Sequence, residues 1–321
     1  MPKSYDIFNG DADGLCALHQ LRLEDPREAE LVSGVKRDIR LLERVEARAG
    51  DELTVLDVSL KSNARGLGRA LEAGARVRYF DHHLVGDIPR HDGLEAHIDT
   101  ASDMCTSLVV DRYLVGRQRG WAVVGAFGDN LVNAAVAAAQ PLRFDHTELA
   151  RLHELGECLN YNAYGETVED LHYHPADLYR TMARYKDPRH FIFDEPIFNV
   201  LRSAYAEDLY RAGEIEPYRS ADATAVYVLP DTAWSRRVVG LWGNRLAQAA
   251  PKRAHALLVT RPGGYRVSVR APVAEPGGAA SLCERFEGGG REGAAGIEHL
   301  REQAFDAFVE AFESAFRRTA A

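Results

Sequence analysis

Ser4-Tyr5-Asp6-Ile7-Phe8-Asn9-Gly10-Asp11-Ala12-Asp13-Gly14-Leu15 decides how the rest of the chain is read. Its first six residues alternate as a short strand does, and the run breaks where two carboxylates stand between two glycines. A helical stretch follows from Leu15 to about Leu23. The same rhythm recurs. Leu53-Thr54-Val55-Leu56-Asp57-Val58 is a compact apolar run ending in a carboxylate, Arg65 to Ala73 has helical spacing, and Val77-Arg78-Tyr79-Phe80 runs into Asp81-His82-His83. Strands alternating with helices predict an α/β fold with a mainly parallel sheet and flanking helices. Ligands of such sheets bind outside the carboxyl ends of the strands, and each acidic motif stands at such an end.

Further along, Trp121 to Ala139 is small and apolar except for Gly128-Asp129-Asn130, and is expected to form one buried helix with a polar interruption. Thr147 to about Ala212 reads as mainly helical, with breaks near Gly165, Pro188 and Pro196. A domain boundary is expected near Gly213–Tyr218. Beyond it, Ala223–Leu229, Ala254–Val259 and the cleanly alternating Tyr265–Arg270 read as strands of a second, smaller α/β domain. A glycine-rich segment, Gly288–Gly296, and an amphipathic terminal helix from about Leu300 to Arg317 complete the chain.

The 321 residues suit two domains of ordinary size. With 46% hydrophobic and 27% charged residues the composition is that of a globular protein. No window nears the roughly 18 consecutive apolar residues of a membrane span. The start of the chain lacks the apolar core of a signal peptide, so a cytoplasmic location and no membrane partner are expected. Cys16, Cys105, Cys158 and Cys283 form no CxxC pair and read as buried free thiols. Net charge is −9, unevenly spread: −12 up to Glu216 and +3 from Pro217 onward. An acidic half suits metal cations and a mildly basic half suits an anionic substrate. This is not the footprint of a protein that grips long duplex DNA.

Hard divalent cations prefer carboxylate oxygens, with imidazole added for manganese, iron or zinc. Asp11 and Asp13 in one turn, Asp57, Asp81-His82-His83 and Asp129 offer such a set, and Gly10 and Gly14 allow a tight loop at the first pair. Asp129 is informative because an unpaired carboxylate inside an apolar segment is costly.

Asp11-x-Asp13, Asp57, Asp81-His82-His83 and Asp129 resemble the four motifs of the DHH phosphoesterase family, and Gly288–Gly296 resembles the glycine-rich signature of the DHH-associated C-terminal domain. The resemblance spans nearly the whole chain. It implies a DHH domain over residues 1–190, a helical linker over 191–217 and a substrate-binding domain over 218–321. It also implies two metal ions, usually manganese, with magnesium or cobalt as alternatives. Asp11, Asp13, Asp57, His82 and Asp129 would be ligands, with Asp57 bridging. Asp81 would steady the neighbouring imidazole, and His83 would face the scissile phosphate. Gly288, Gly289, Gly290 and Arg291 would hold substrate phosphate, assisted by Arg285 or Arg266.

Two positions depart from the family pattern. Many small-nucleotide members carry a histidine four residues before the first aspartate, where this chain has Ile7, as in RecJ-like exonucleases. The usual GGGH ends here in Arg291, a guanidinium able to clamp a phosphate bidentately. Length and charge leave no further basic nucleic-acid domain. The expected substrate is therefore a dinucleotide such as pGpG, or a short single-stranded oligonucleotide, held between two domains. The alternatives are a RecJ-like exonuclease, a nucleoside bisphosphate phosphatase, an exopolyphosphatase or pyrophosphatase, and a nucleotide-sensing module without turnover. A homodimer is compatible with the sequence.

Overall fold

Ser4–Phe8 (β1) is the strand that opens the first unit, and Ala12–Glu24 (α1) follows at once because Asp11 caps it, accepting from Gly14 N–H at 3.1 Å. In the computed structural model, which describes residues 2–317, the helix therefore starts three residues earlier than its apolar spacing alone suggests. Next come Glu30–Val32 (β2), Glu52–Leu56 (β3), Leu60–Glu72 (α2), Arg76–Asp81 (β4) and Leu94–Ile98 (β5). Ser59 caps α2 by accepting from Ser62 N–H, so this helix too begins before its expected start.

The five strands are all parallel, in the order β2-β1-β3-β4-β5. The chain passes from β1 to β2 on one side and then crosses to β3 on the other. The strand order reverses between β1 and β3, and their carboxyl ends lead to Asp11 and Asp57. Ile7, Val55 and Tyr79 pack toward α2, while Phe8, Leu56 and Phe80 pack into the larger core on the opposite face. A sheet covered on both faces needs apolar residues at consecutive positions, which is why these strands read as compact runs.

Thr106–Tyr113 (α3), Arg119–Gly128 (α4), Val132–Ala139 (α5) and His146–Asn162 (α6) follow. The single helix expected over 121–139 is thus two. Asn130, at φ 62°, takes the left-handed conformation and breaks it, and Asp129 becomes the C-cap of α4. Gly128 lies so close to α1 that a Cβ there would come within 2.2 Å of Ala12 Cβ. That contact carries Asp129 to the end of the sheet where Asp11 lies. Pro175–Met182 (α7), Pro188–Asp194 (α8) and Pro196–Gly213 (α9) each open on a proline, where the missing N–H costs nothing. The chain divides into two compact units after Ser203, within α9.

The second unit comprises Arg219–Ser220 (β6), Thr224–Leu229 (β7), Ala233–Ala249 (α10), Ala254–Arg261 (β8), Gly264–Arg270 (β9), Ala279–Glu284 (α11), Gly289–Arg291 (β10), Ala294–Arg301 (β11) and Phe305–Ala315 (α12). Its sheet is mixed, ordered β10-β11-β9-β8-β7-β6, with β7 and β8 parallel and the other pairs antiparallel. One face packs on Phe308 and Phe312, the other on Trp242. Leu300 and Arg301 belong to β11, so the terminal helix starts later than expected. The four cysteines are buried free thiols. Among the described residues, no helix is long and apolar enough to cross a membrane.

Candidate metal centre

Asp11 and Asp13 enter the site from the first turn of α1, and both are buried. The flanking glycines are required for space: a Cβ on Gly14 would lie 2.2 Å from Asn9 O, and one on Gly10 2.1 Å from Gly34 O. Asp13 is held by the start of α3, its carboxylate accepting from Thr106 N–H and Ser107 N–H at 2.7 Å each. The partial positive charge of a helix N-terminus attracts the carboxylate there.

Asp57 follows β3 with φ 58°, a left-handed conformation that asparagine and aspartate tolerate better than most residues. Its N–H donates to Phe80 O at 3.0 Å, and its carboxylate accepts from the Thr106 hydroxyl at 3.1 Å. Burial, together with the charges of Asp11, Asp13 and Asp129, pushes its carboxyl well above the usual carboxylate range. Such a backbone conformation and such crowding of like charges are typical of functional sites.

His82 is the point of convergence. Its Nε2 lies 3.5 Å from Asp57 Oδ1, 3.8 Å from Asp129 Oδ2 and 4.0 Å from Asp13 Oδ2. Asp13, His82 and Asp129 form one group whose ligand atoms lie within 4.8 Å of one another; Asp57, His82 and His83 form a second. Carboxylate oxygens around one imidazole, at these separations, fit a hard divalent ion. Burial and the charges of Asp13 and Asp11 raise Asp129 to about 6, against the opposing pull of Lys36 and His82.

Within the DHH triplet, one imidazole is held by the aspartate. Asp81 pairs with His83, at 2.7 Å from Nδ1, while its other oxygen accepts from Leu60 N–H at 3.3 Å. The rings of His82 and His83 lie side by side, with centroids 4.4 Å apart, and both face Asp57. The His83 side chain is 42% exposed. Burial lowers its pKa, but the Asp81 hydrogen bond and charge outweigh this, leaving it above the ordinary imidazole value.

Lys36, absent from the sequence-based set, reaches the same cluster. Its Nζ lies 2.5 Å from Asp11 Oδ2, 3.1 Å from Asn160 Oδ1 and 3.6 Å from Asp129 Oδ1. Although burial works the other way, the ammonium holds Asp11 down at about 2. Ile7 is fully buried on the α2 face of the sheet and offers nothing to the site.

The predicted phosphate-binding residues belong to the second unit. Gly289, Gly290 and Arg291 form the edge strand β10, all exposed and paired with β11. Gly288 and Gly290 have packing reasons to be glycine: a Cβ would lie 2.3 Å from Gly296 O and 2.5 Å from Ala295 Cα, and Gly290 has φ 149°. Gly289 faces open space. Arg266 pairs with Glu298 at 3.5 Å, and the Arg285 guanidinium lies over Phe286.

No protein-family model matches the chain, and no curated protein matches it as a relative. Solved structures match it in fold. An exonuclease RecJ bound to manganese superposes with a TM-score of 0.64 at 17% identity, over 99% of this chain and 91% of the other. RecJ from Thermus thermophilus in complex with Mn2+ gives 0.60 at 18%, and this chain spans about half, 52%, of it. A pGpG-specific phosphodiesterase, PggH from Vibrio cholerae, gives 0.57 at 14%, over 98% and 99% of the two chains. The fold is shared with these proteins over almost the whole of this chain.

Proposed function

We propose that this chain is a DHH-family phosphoester hydrolase dependent on a divalent metal, preferentially manganese, acting on dinucleotides such as pGpG or on short single-stranded oligonucleotides. The observation that carries the reading is the convergence of Asp13, Asp57 and Asp129 on Nε2 of His82, at 3.5 to 4.0 Å. In this reading residues 1–190 carry the metal centre, 191–217 connect, and 218–321 bind substrate, with Arg291 on a phosphate.

A divalent ion on these side chains would neutralise charge on a phosphoryl group and acidify the attacking water. The protein supplies the rest. Asp13, fixed by two backbone amides, and Asp57, fixed by Thr106, are set in place before a ligand arrives. Asp81 holds Nδ1 of His83, which leaves Nε2 to meet the scissile phosphate. With its pKa raised, His83 can present an N–H to a phosphate oxygen or to the leaving oxygen.

The small-substrate reading is supported by the shared fold with PggH over nearly the full length of both chains. A second reading, an exonuclease acting on single-strand ends, is supported by the likeness to RecJ. Turnover of pGpG, other dinucleotides, pAp, short and long oligonucleotides and polyphosphate in manganese, with a chelator control, separates them. Fastest hydrolysis of dinucleotides, abolished by chelation, is expected. Stepwise degradation of long strands would favour the exonuclease. Stabilisation by nucleotide without turnover would make the chain a sensor and overturn the reading.

A further inference from the structure

Lys36 sits in a seat built for an ammonium. Its backbone is pinned from two sides: its N–H donates to Ala163 O at 2.9 Å, and its carbonyl accepts from the Asn9 side-chain amide at 3.2 Å. At the far end Nζ donates to Asp11 and Asn160, and Asp129 Oδ1 stands 3.6 Å away as an ion-pair partner. Asn160 presents its oxygen because its own amide donates to the Tyr164 hydroxyl at 3.2 Å. The Tyr164 ring lies 6.0 Å from Nζ. The residues brought together come from far apart in the chain, 25 and 124 positions from Lys36 for Asp11 and Asn160.

Asp11 is correspondingly absent from both groups of side chains whose geometry suits a metal ion. Its Oδ2 accepts from Lys36 and its Oδ1 from the N–H of Gly14, and its carboxylate also meets that of Asp57; the ammonium is what sets it apart from Asp13, which only neutral amides hold. A dication coordinated by Asp11 would have to sit a few ångströms from a fixed positive charge in a partly buried site, where repulsion is poorly screened. No side chain at position 7 can add a compensating ligand, because Ile7 is fully buried in the core.

We propose, resting on the functional reading above, that the centre takes one divalent ion, on Asp13, Asp57, His82 and Asp129, and that the Lys36 ammonium occupies the place of the second cation on Asp11. One metal and one lysine would thus share the work that a pair of ions would otherwise do. The lysine is a fixed charge that needs no loading, so the centre would be complete at a metal concentration that fills a single site.

The test is metal stoichiometry on the purified full-length chain, by equilibrium dialysis against Mn2+ with elemental analysis, and electron paramagnetic resonance of the bound ions. Wild type is expected to hold one manganese per chain with an uncoupled signal. Lys36→Met is expected to hold two, with an exchange-coupled signal, and Lys36→Arg one. Lys36→Gln, which keeps a hydrogen-bonding group without charge, replaces the methionine variant if that variant does not fold. Two ions in wild type, or one in both wild type and the neutral variants, would overturn the proposal while leaving the hydrolase reading intact. No manganese in wild type above the level of Asp57→Asn would overturn both.

Discussion

At the carboxyl ends of β1, β3 and β4, four carboxylates are buried, and each is held by an amide, a hydroxyl or a charged neighbour before any ligand is present. In the second unit, Gly289–Arg291 form an exposed edge strand. The first arrangement is costly in the metal-free protein, because Asp57 and Asp129 are raised by burial and by the charges of Asp11 and Asp13. The second stores no such cost. The contrast separates a region organised to hold charge in a fixed geometry from one whose glycines mainly satisfy a hairpin. Chemistry is expected to fail when the first is altered, and affinity when the second is.

The largest effect is expected at Asp57. Asp57→Asn keeps the left-handed backbone accessible but removes a central carboxylate, and should lower turnover to about a thousandth or less. Because it also relieves like-charge crowding, it should raise the melting temperature of the metal-free protein at pH 7. A scan with and without manganese checks both: equal activity in variant and wild type would remove the distinction between the two regions.

Asp81→Asn comes next. It leaves His82 and the carboxylates in place but loosens His83, so turnover should fall roughly 10- to 100-fold while manganese affinity changes little. Loss of metal binding equal to that of Asp57→Asn would show that Asp81 acts on the ion and not through His83. Arg291→Ala should raise KM about tenfold and lower kcat less, as removal of uniform substrate binding does. Steady-state kinetics on pGpG decide it, and a fall in kcat alone would place Arg291 in the chemical step.

The smallest effect is in pH. Asp129 is raised from its ordinary value near 3.8 to about 6, so its proton must leave before it ligates. In the metal-free protein, its contribution to stability is fully present below about 4 and is lost as pH rises to about 6. Manganese affinity should therefore rise by up to about tenfold between pH 5 and 7, then level off, when followed by titration calorimetry. In Asp129→Asn that rise should be weaker.

The site was legible in the sequence to the extent that its residues end apolar runs. Asp11, Asp57 and Asp81 could be placed because a parallel strand covered on both faces is conspicuous, and the acid after it interrupts the pattern. Edge strands gave no such signal: Glu30–Val32 is only three residues, and Leu94–Ile98 contains Glu95 and His97. Without β2 the loop bearing Lys36 had no address, and its partners lie as far as 124 residues away. The break at Asn130 was hidden because a left-handed asparagine looks, in sequence, like a polar residue inside a helix.

The central claim is that Asp13, Asp57, His82 and Asp129 hold a divalent ion for phosphoester hydrolysis. Anomalous diffraction at the manganese edge, from crystals of the full chain equilibrated with Mn2+, tests it most directly. The account predicts a strong peak within coordination distance of both the Asp57 carboxylate and His82 Nε2. A saturated, catalytically active protein with no peak between these two side chains would contradict it.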